Sequence, residues 1–124
     1  MKKSLILSVD DEDDICISVK EVLQDAGFQV ETASNGAEML KRLEKIKPDL
    51  ILLDVLMPGL TTREVLAELK KRKIKIPIIF LTVVRLSEAA KKDIMKENMV
   101  DYIEKPFNNA DLVRRVKKAL HKKP

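Results

Sequence analysis

The sequence is poor in the residues that most often signal chemistry or compartment. It has one cysteine, Cys16, one histidine, His121, no tryptophan, three phenylalanines and one tyrosine. A single thiol cannot form an internal disulfide, which fits a reducing, cytoplasmic setting. A thiol nucleophile wants an imidazole base nearby, and the only imidazole stands in the last four residues, so Cys16 reads as packing. Without a Cys/His cluster there is no zinc site to read. No apolar run approaches bilayer-spanning length, and Met1-Lys2-Lys3-Ser4 leads directly into a strand-like segment. The expectation is therefore a cytoplasmic chain with no membrane partner. The first loop lacks the glycines of a nucleotide- or flavin-binding turn. It carries Asp10-Asp11-Glu12-Asp13-Asp14 instead, which repels phosphate unless a metal is bound.

What is present points to one domain, residues 1–124. Hydrophobic residues make up 45% and charged residues 35%, which excludes a disordered chain and allows one real core. The net charge of +4 raises the question of nucleic acid. Basic residues recur on every helical stretch, no helix-turn-helix pair is visible, and no aromatics interleave with the lysines. Solvated helix faces explain that pattern, so no direct nucleic-acid binding is expected.

Strand-like and helix-like segments alternate along the chain. Apolar strand runs are predicted at Ser4–Val9, Asp49–Asp54 and Pro77–Thr82, an alternating strand at Phe28–Ala33, and a last short one at Val100–Glu104. Between them run helical patterns. Ile15, Val19, Val22, Leu23 and Ala26 share one face before Gly27. Asn35 with Glu38 opens Met39, Leu40, Leu43 and Ile46, and Thr61 with Glu64 opens Val65, Leu66 and Leu69. Ser87 precedes Ala90 and Ile94, and Asn108 with Asp111 opens Leu112, Val113, Val116 and Leu120. Asp13 and Asp14 are expected as caps. The order is (βα)5: an α/β fold with a doubly wound parallel five-stranded sheet, in the flavodoxin-like order 2-1-3-4-5.

In such a sheet the site lies beyond the carboxyl ends of the strands. Polar residues gather there: Asp10-Asp11 after the first run, Asp54 after the third, Thr82 after the fourth, and Glu104-Lys105 after the fifth. Three converging carboxylates repel and need either a cation or raised pKa values. Hard oxygen donors suit Mg²⁺. A metal, an ammonium from Lys105 and a hydroxyl from Thr82 around Asp54 are what the oxygens of a transferring phosphoryl group require.

ILSVDDE (6–12), DLILLDVLMPG (49–59), PIIFLT (77–82) and DYIEKPF (101–107) resemble the receiver domain of two-component response regulators over almost the whole chain. The resemblance implies that Asp54 accepts a phosphoryl group from a sensor histidine kinase or phosphotransfer protein. It implies that Asp11, Asp54 and the backbone carbonyl of Leu56 hold Mg²⁺, with Asp10 acting through water. Thr82 and Lys105 would contact the phosphoryl oxygens, Thr82 and Tyr102 would switch, and the Lys105–Pro106 bond would be cis. The chain would promote only its own phosphorylation and dephosphorylation, and so is not expected to be an enzyme. Output would pass through a face near 85–96, 100–104 and 109–120, to a protein target, to an output domain missing here, or to a phosphorylation-dependent dimer. Three positions depart from the family: Val83 is expected to crowd the pocket, Thr61-Thr62 to stiffen the loop after the acceptor, and Asn98 to replace a glycine. Apolar Leu56 and Val84 at the mouth imply a long-lived phospho-state. Two rival readings are a Mg²⁺-dependent aspartyl phosphatase or hydrolase, disfavoured because Leu56 stands where a second acid belongs, and a metal-independent interaction domain, which would have lost one of these side chains.

Overall fold

The computed structural model describes residues 3–55, 59, 61–83, 87–89, 92 and 99–121. Uninterrupted apolar runs need burial on both faces, and β1 (Leu5–Val9), β3 (Leu50–Leu53) and β4 (Ile78–Thr82) receive it in the middle of one parallel sheet. The half-exposed strands β2 (Gln29–Ala33) and β5 (Met99–Glu104) form its edges, in the order β2-β1-β3-β4-β5. That is the doubly wound order expected from the sequence.

Four helices stand among the described residues: α1 (Asp13–Asp25), α2 (Gly36–Arg42), α3 (Thr62–Lys71) and α4 (Asn109–His121). α1 and α4 cover one face, where Val19, Leu23, Leu112 and Val116 meet Ile6, Leu50, Leu52, Ile79 and Leu81. α2 and α3 cover the other, where Met39, Leu40, Val65 and Leu69 meet Leu7, Val9, Ile51, Leu53 and Phe80. Each fully buried side chain of this size contributes about 1.5–3 kcal/mol. Leu52→Ala, emptying a site between layers, would cost about 2–5 kcal/mol. The helix expected from Ser87 through Ala90 and Ile94 falls largely outside the described residues, as do Leu56, Val84 and Asn98.

The helix ends refine the sequence reading. Thr61 and Glu64 form the full reciprocal capping box on α3. Asn35 caps α2 by accepting from the Glu38 N–H, but the Glu38 carboxylate turns to Arg42 instead of completing the box. α2 stops at Arg42, short of the expected Ile46, because the chain tightens there into turns accepting at the Lys41 and Arg42 carbonyls; Leu43 and Ile46 still pack on the core. Asp13 and Asp14 are not caps. Glu12 occupies the N-cap, and both aspartates lie in the first turn, where negative charge meets the positive end of the helix. Gly27 ends α1 in the left-handed region at φ 98. α3 ends the same way, with the Lys73 N–H donating to the Lys70 carbonyl and the Ile74 N–H to the Leu69 carbonyl. There the left-handed residue, at φ 60, is Lys73.

β5 carries an irregularity. Ile78 pairs with Met99 but Ile79 pairs with Asp101, so Val100 is an extra residue that bulges from the ladder and is left exposed. Met99 and Tyr102 consequently pack in the layer of α2 and α3, and Ile103 in the layer of α1 and α4.

Candidate functional site

The ladder continues one residue beyond three of the strands and so fixes the site. The Asp10 N–H donates to the Ala33 carbonyl at 3.1 Å, the Asp54 N–H to the Val9 carbonyl at 3.1 Å, and the Lys105 N–H to the Thr82 carbonyl at 2.8 Å. Asp10, Asp54 and Lys105 therefore stand on rigid sheet backbone rather than on free loops, with Thr82 the last residue of β4. Asp10, Asp54 and Thr82 are buried, and the Lys105 side chain is only 5% exposed.

The Lys105 ammonium donates to Asp10 at 2.5 Å and to Asp54 at 3.4 Å. This brings together three of the residues singled out from the sequence. Asp10 also accepts from the Glu12 N–H at 3.0 Å, which folds the acidic loop back over β1. Asp11 is exposed at the rim, and carboxylate oxygens of Asp10, Asp11 and Glu12 lie within 4.8 Å of one another. Glu12 was not singled out from the sequence, where it looks like one more acid in a run of five. Its place beside Asp10 comes from the turn.

Charge is out of balance here. Asp10, Asp11 and Asp54 face one ammonium. Burial pushes the Asp10 carboxyl above its ordinary range, against the lowering pull of the Lys105 hydrogen bond and the Glu12 N–H. Burial also pulls the Lys105 ammonium down, but the hydrogen bond and charge of Asp10, joined by Asp54, carry it above its ordinary value. An ammonium shared between two buried carboxylates is best read as a charged lysine facing acids it does not fully compensate. An oxygen-only donor set with surplus negative charge, and no His or Cys ligand among the described residues, fits a hard divalent cation.

The remaining residues fall around this centre. The Cys16 thiol donates to the Asp10 carbonyl at 3.4 Å. Burial pushes its pKa up, with Asp10 adding to the effect, so it is packing beside the site and no nucleophile. Tyr102 is half-buried on β5, directly across from Phe80, and packs on the layer of α2 and α3. Arg115 of α4 donates to its carbonyl at 3.1 Å and to the Asp101 carboxylate at 2.8 Å. Val83, the residue after Thr82, is 61% exposed. The Lys105–Pro106 bond is cis. Among the described residues no helix is long and apolar enough to cross a membrane.

The family profile described as the response regulator receiver domain matches residues 6–117. The alkaline phosphatase synthesis transcriptional regulatory protein PhoP of Bacillus subtilis is 40% identical over 94% of this chain and 48% of its own length. The DNA-binding transcriptional regulator NtrC of Escherichia coli is 32% identical over 97% of this chain and 25% of its own. The chain thus spans about half, or less, of the curated relatives it matches. Among solved structures, the chemotaxis protein CheY4 of Vibrio cholerae superposes with a TM-score of 0.86 at 33% identity, covering 95% of this chain and 99% of that one.

Proposed function

This chain belongs to the response regulator receiver family, and we propose that Asp54 is its phospho-acceptor, charged from a phosphohistidine on a sensor kinase or phosphotransfer protein. The observation that carries the reading is the Lys105 ammonium shared between two buried carboxylates at the ends of β1 and β3. A nucleophile needs a fixed position and a charge-neutralising surround, and Asp54 has both.

An Asp54 carboxylate oxygen attacks the phosphorus, the phosphorus–nitrogen bond breaks, and its electron pair returns to the donor imidazole. Lys105, held between Asp10 and Asp54, donates to an oxygen of the transferring group. Thr82 supplies a hydroxyl from the end of β4. Asp11 and Asp54, with Asp10 alongside and the Leu56 carbonyl outside the described residues, would hold Mg²⁺, which when bound would add positive charge for the phosphoryl oxygens. The chemistry is self-directed: the chain alters only its own phosphorylation.

The readout passes from Thr82, which ends β4 across from Glu104, to Tyr102, two residues earlier on β5 and across from Phe80. It then reaches the β5–α4 surface, where Arg115 ties Tyr102 and Asp101 to Asp111. PhoP and NtrC are named transcriptional regulators, and on that likeness the output is control of transcription, through a protein target, a dimer or further chain. The reading places the protein in the cytoplasm. It is tested by incubating the chain with acetyl phosphate and Mg²⁺ and weighing the intact product. One phosphoryl group is expected on the wild type and none on Asp54→Asn, a nearly isosteric change. Undiminished labelling of the Asn variant would refute it.

A further inference from the structure

The basic residues look dispersed in the sequence because each helix carries a few, but the fold collects many of them at one end. Every helix here runs back against the parallel strands, so helix C-termini and strand starts share the end of the sheet opposite Asp54. α2 and the turn after it bring the exposed Lys41, Lys45 and Lys47. α3 and the turn after it bring the exposed Lys70, Lys71, Lys73 and Lys75. The two segments are neighbours: the Arg72 guanidinium donates to the Leu40 carbonyl at 3.0 Å, and the strands that follow, β3 and β4, are paired, the Ile51 N–H reaching the Pro77 carbonyl at 3.0 Å. Glu44 is the one exposed carboxylate within residues 41–49 and 70–77.

Compensation of helix dipoles accounts for lysines in a last turn, as at Lys41, Lys70 and Lys71. It does not reach Lys45, Lys47, Lys73 or Lys75, which lie beyond the helix ends. At Lys73 a cation even occupies a left-handed position that glycine fills more readily. The opposite end of the domain carries Asp10 to Asp14 and Asp54. The ends of α2 and α3 thus form a basic pole opposite these acids, although α1 brings the exposed Asp25 and no base to the same end of the sheet.

We propose that this pole, formed by the ends of α2 and α3, docks on the phosphate backbone of duplex nucleic acid without reading its sequence. Lysines are point charges suited to phosphates. No aromatic ring stands in either segment to stack a base, which favours a duplex over a single strand. The exposed large apolar side chains among the described residues, Ile17, Val83 and Val100, lie elsewhere, so the pole has charge but nothing to insert between lipids. Docking by this end leaves the acidic end turned outward to a kinase. The inference does not depend on the phospho-acceptor reading, since an unphosphorylatable chain has the same lysines.

The experiment is fluorescence anisotropy of a labelled duplex of about 20 base pairs, in two unrelated sequences, titrated with the full chain. At about 50 mM salt the wild type should bind both alike, with affinity falling steeply toward about 200 mM. The triple variant Lys45→Glu, Lys70→Glu, Lys73→Glu should bind at least tenfold more weakly. Lys73→Gly, which relieves the backbone, should bind about twofold more weakly while remaining folded. Arg63→Glu, a single reversal at the other end of α3, should change binding less than Lys70→Glu alone. The proposal is overturned if the wild type does not bind, if the triple variant binds like it, or if Arg63→Glu is as damaging as Lys70→Glu. Lysine-dependent binding to phosphatidylglycerol vesicles without binding to the duplex would overturn it in favour of a membrane surface.

Discussion

The Lys105 ammonium lies 2.5 Å from Asp10 and 3.4 Å from Asp54, so the acid proposed as nucleophile is the more loosely held of its two partners. The arrangement pins Lys105 through Asp10 and holds Asp54 by a longer contact. Asp10 is then a positioning residue for the lysine as much as a neighbour of any metal.

Removing that lysine tests the electrostatics apart from the chemistry. Lys105→Met keeps the length and apolar stem but leaves Asp10 and Asp54 facing each other in a buried site. We expect a loss of about 3 kcal/mol in urea unfolding without metal, since stranding a buried charge is costly. Addition of Mg²⁺ should recover part of it by mass action. A variant as stable as wild type would show that the pair is not buried in solution.

The two adjacent aspartates should separate in metal binding. Asp11 is exposed with its carboxylate unencumbered by Lys105, whereas Asp10 is buried against the ammonium. Titration calorimetry with Mg²⁺ should show Asp11→Ala losing on the order of 100-fold in affinity and Asp10→Ala losing less. Equal losses would place both carboxylates on the ion.

Lys73 offers a gain in stability. An ordinary residue in the left-handed region costs roughly 1–2 kcal/mol relative to glycine, which has no Cβ to clash. Glycine also gives up more chain entropy on folding, so Lys73→Gly is expected to stabilise by about 1 kcal/mol or less. The check is the denaturant midpoint at unchanged slope.

The box on α3 should titrate. The Thr61 N–H and hydroxyl hold the Glu64 carboxyl below its ordinary value. A depressed carboxyl contributes stability that is present above its unfolded pKa, near 4.5, and is lost as pH falls through the lower folded value. Thr61→Ala should cost about 1 kcal/mol at neutral pH. Its difference from wild type should shrink as pH falls through the lowered Glu64 value, which a pair of pH-dependent melts would show. A constant difference would mean that the Thr61 hydroxyl contributes nothing to the carboxylate, since the backbone N–H at position 61 survives in the alanine variant.

The sheet and its order were legible because central parallel strands write their burial as unbroken apolar runs, as in Leu50–Leu53 and Ile78–Thr82. The acidic pair, Asp54, Thr82 and Lys105 were legible because each stands where such a run ends. Three things were not. The fold-back of Glu12 onto Asp10 depends on a turn whose acids all look alike in sequence. The exposure of Val83 depends on which face of the strand end it takes, which residue type does not fix. The basic pole depends on helix direction, a tertiary property; along the chain Lys45 and Lys75 are merely loop lysines.

The extra residue at Val100 makes one position of β5 unlike its neighbours. Side chains alternate along a strand, so a residue lost from a regular stretch inverts every side chain downstream of it. Val100 escapes that rule, because Met99 and Asp101 already pair with the consecutive residues Ile78 and Ile79. With Val100 removed and the pairing of Met99 kept, Tyr102 stays across from Phe80 and Ile103 across from Leu81. Loss of Asp101 as well would make Tyr102 and Ile103 trade layers and would point the Lys105 ammonium away from Asp10 and Asp54. A deletion is therefore absorbed at the bulge, whereas the next residue along carries the phase of the site.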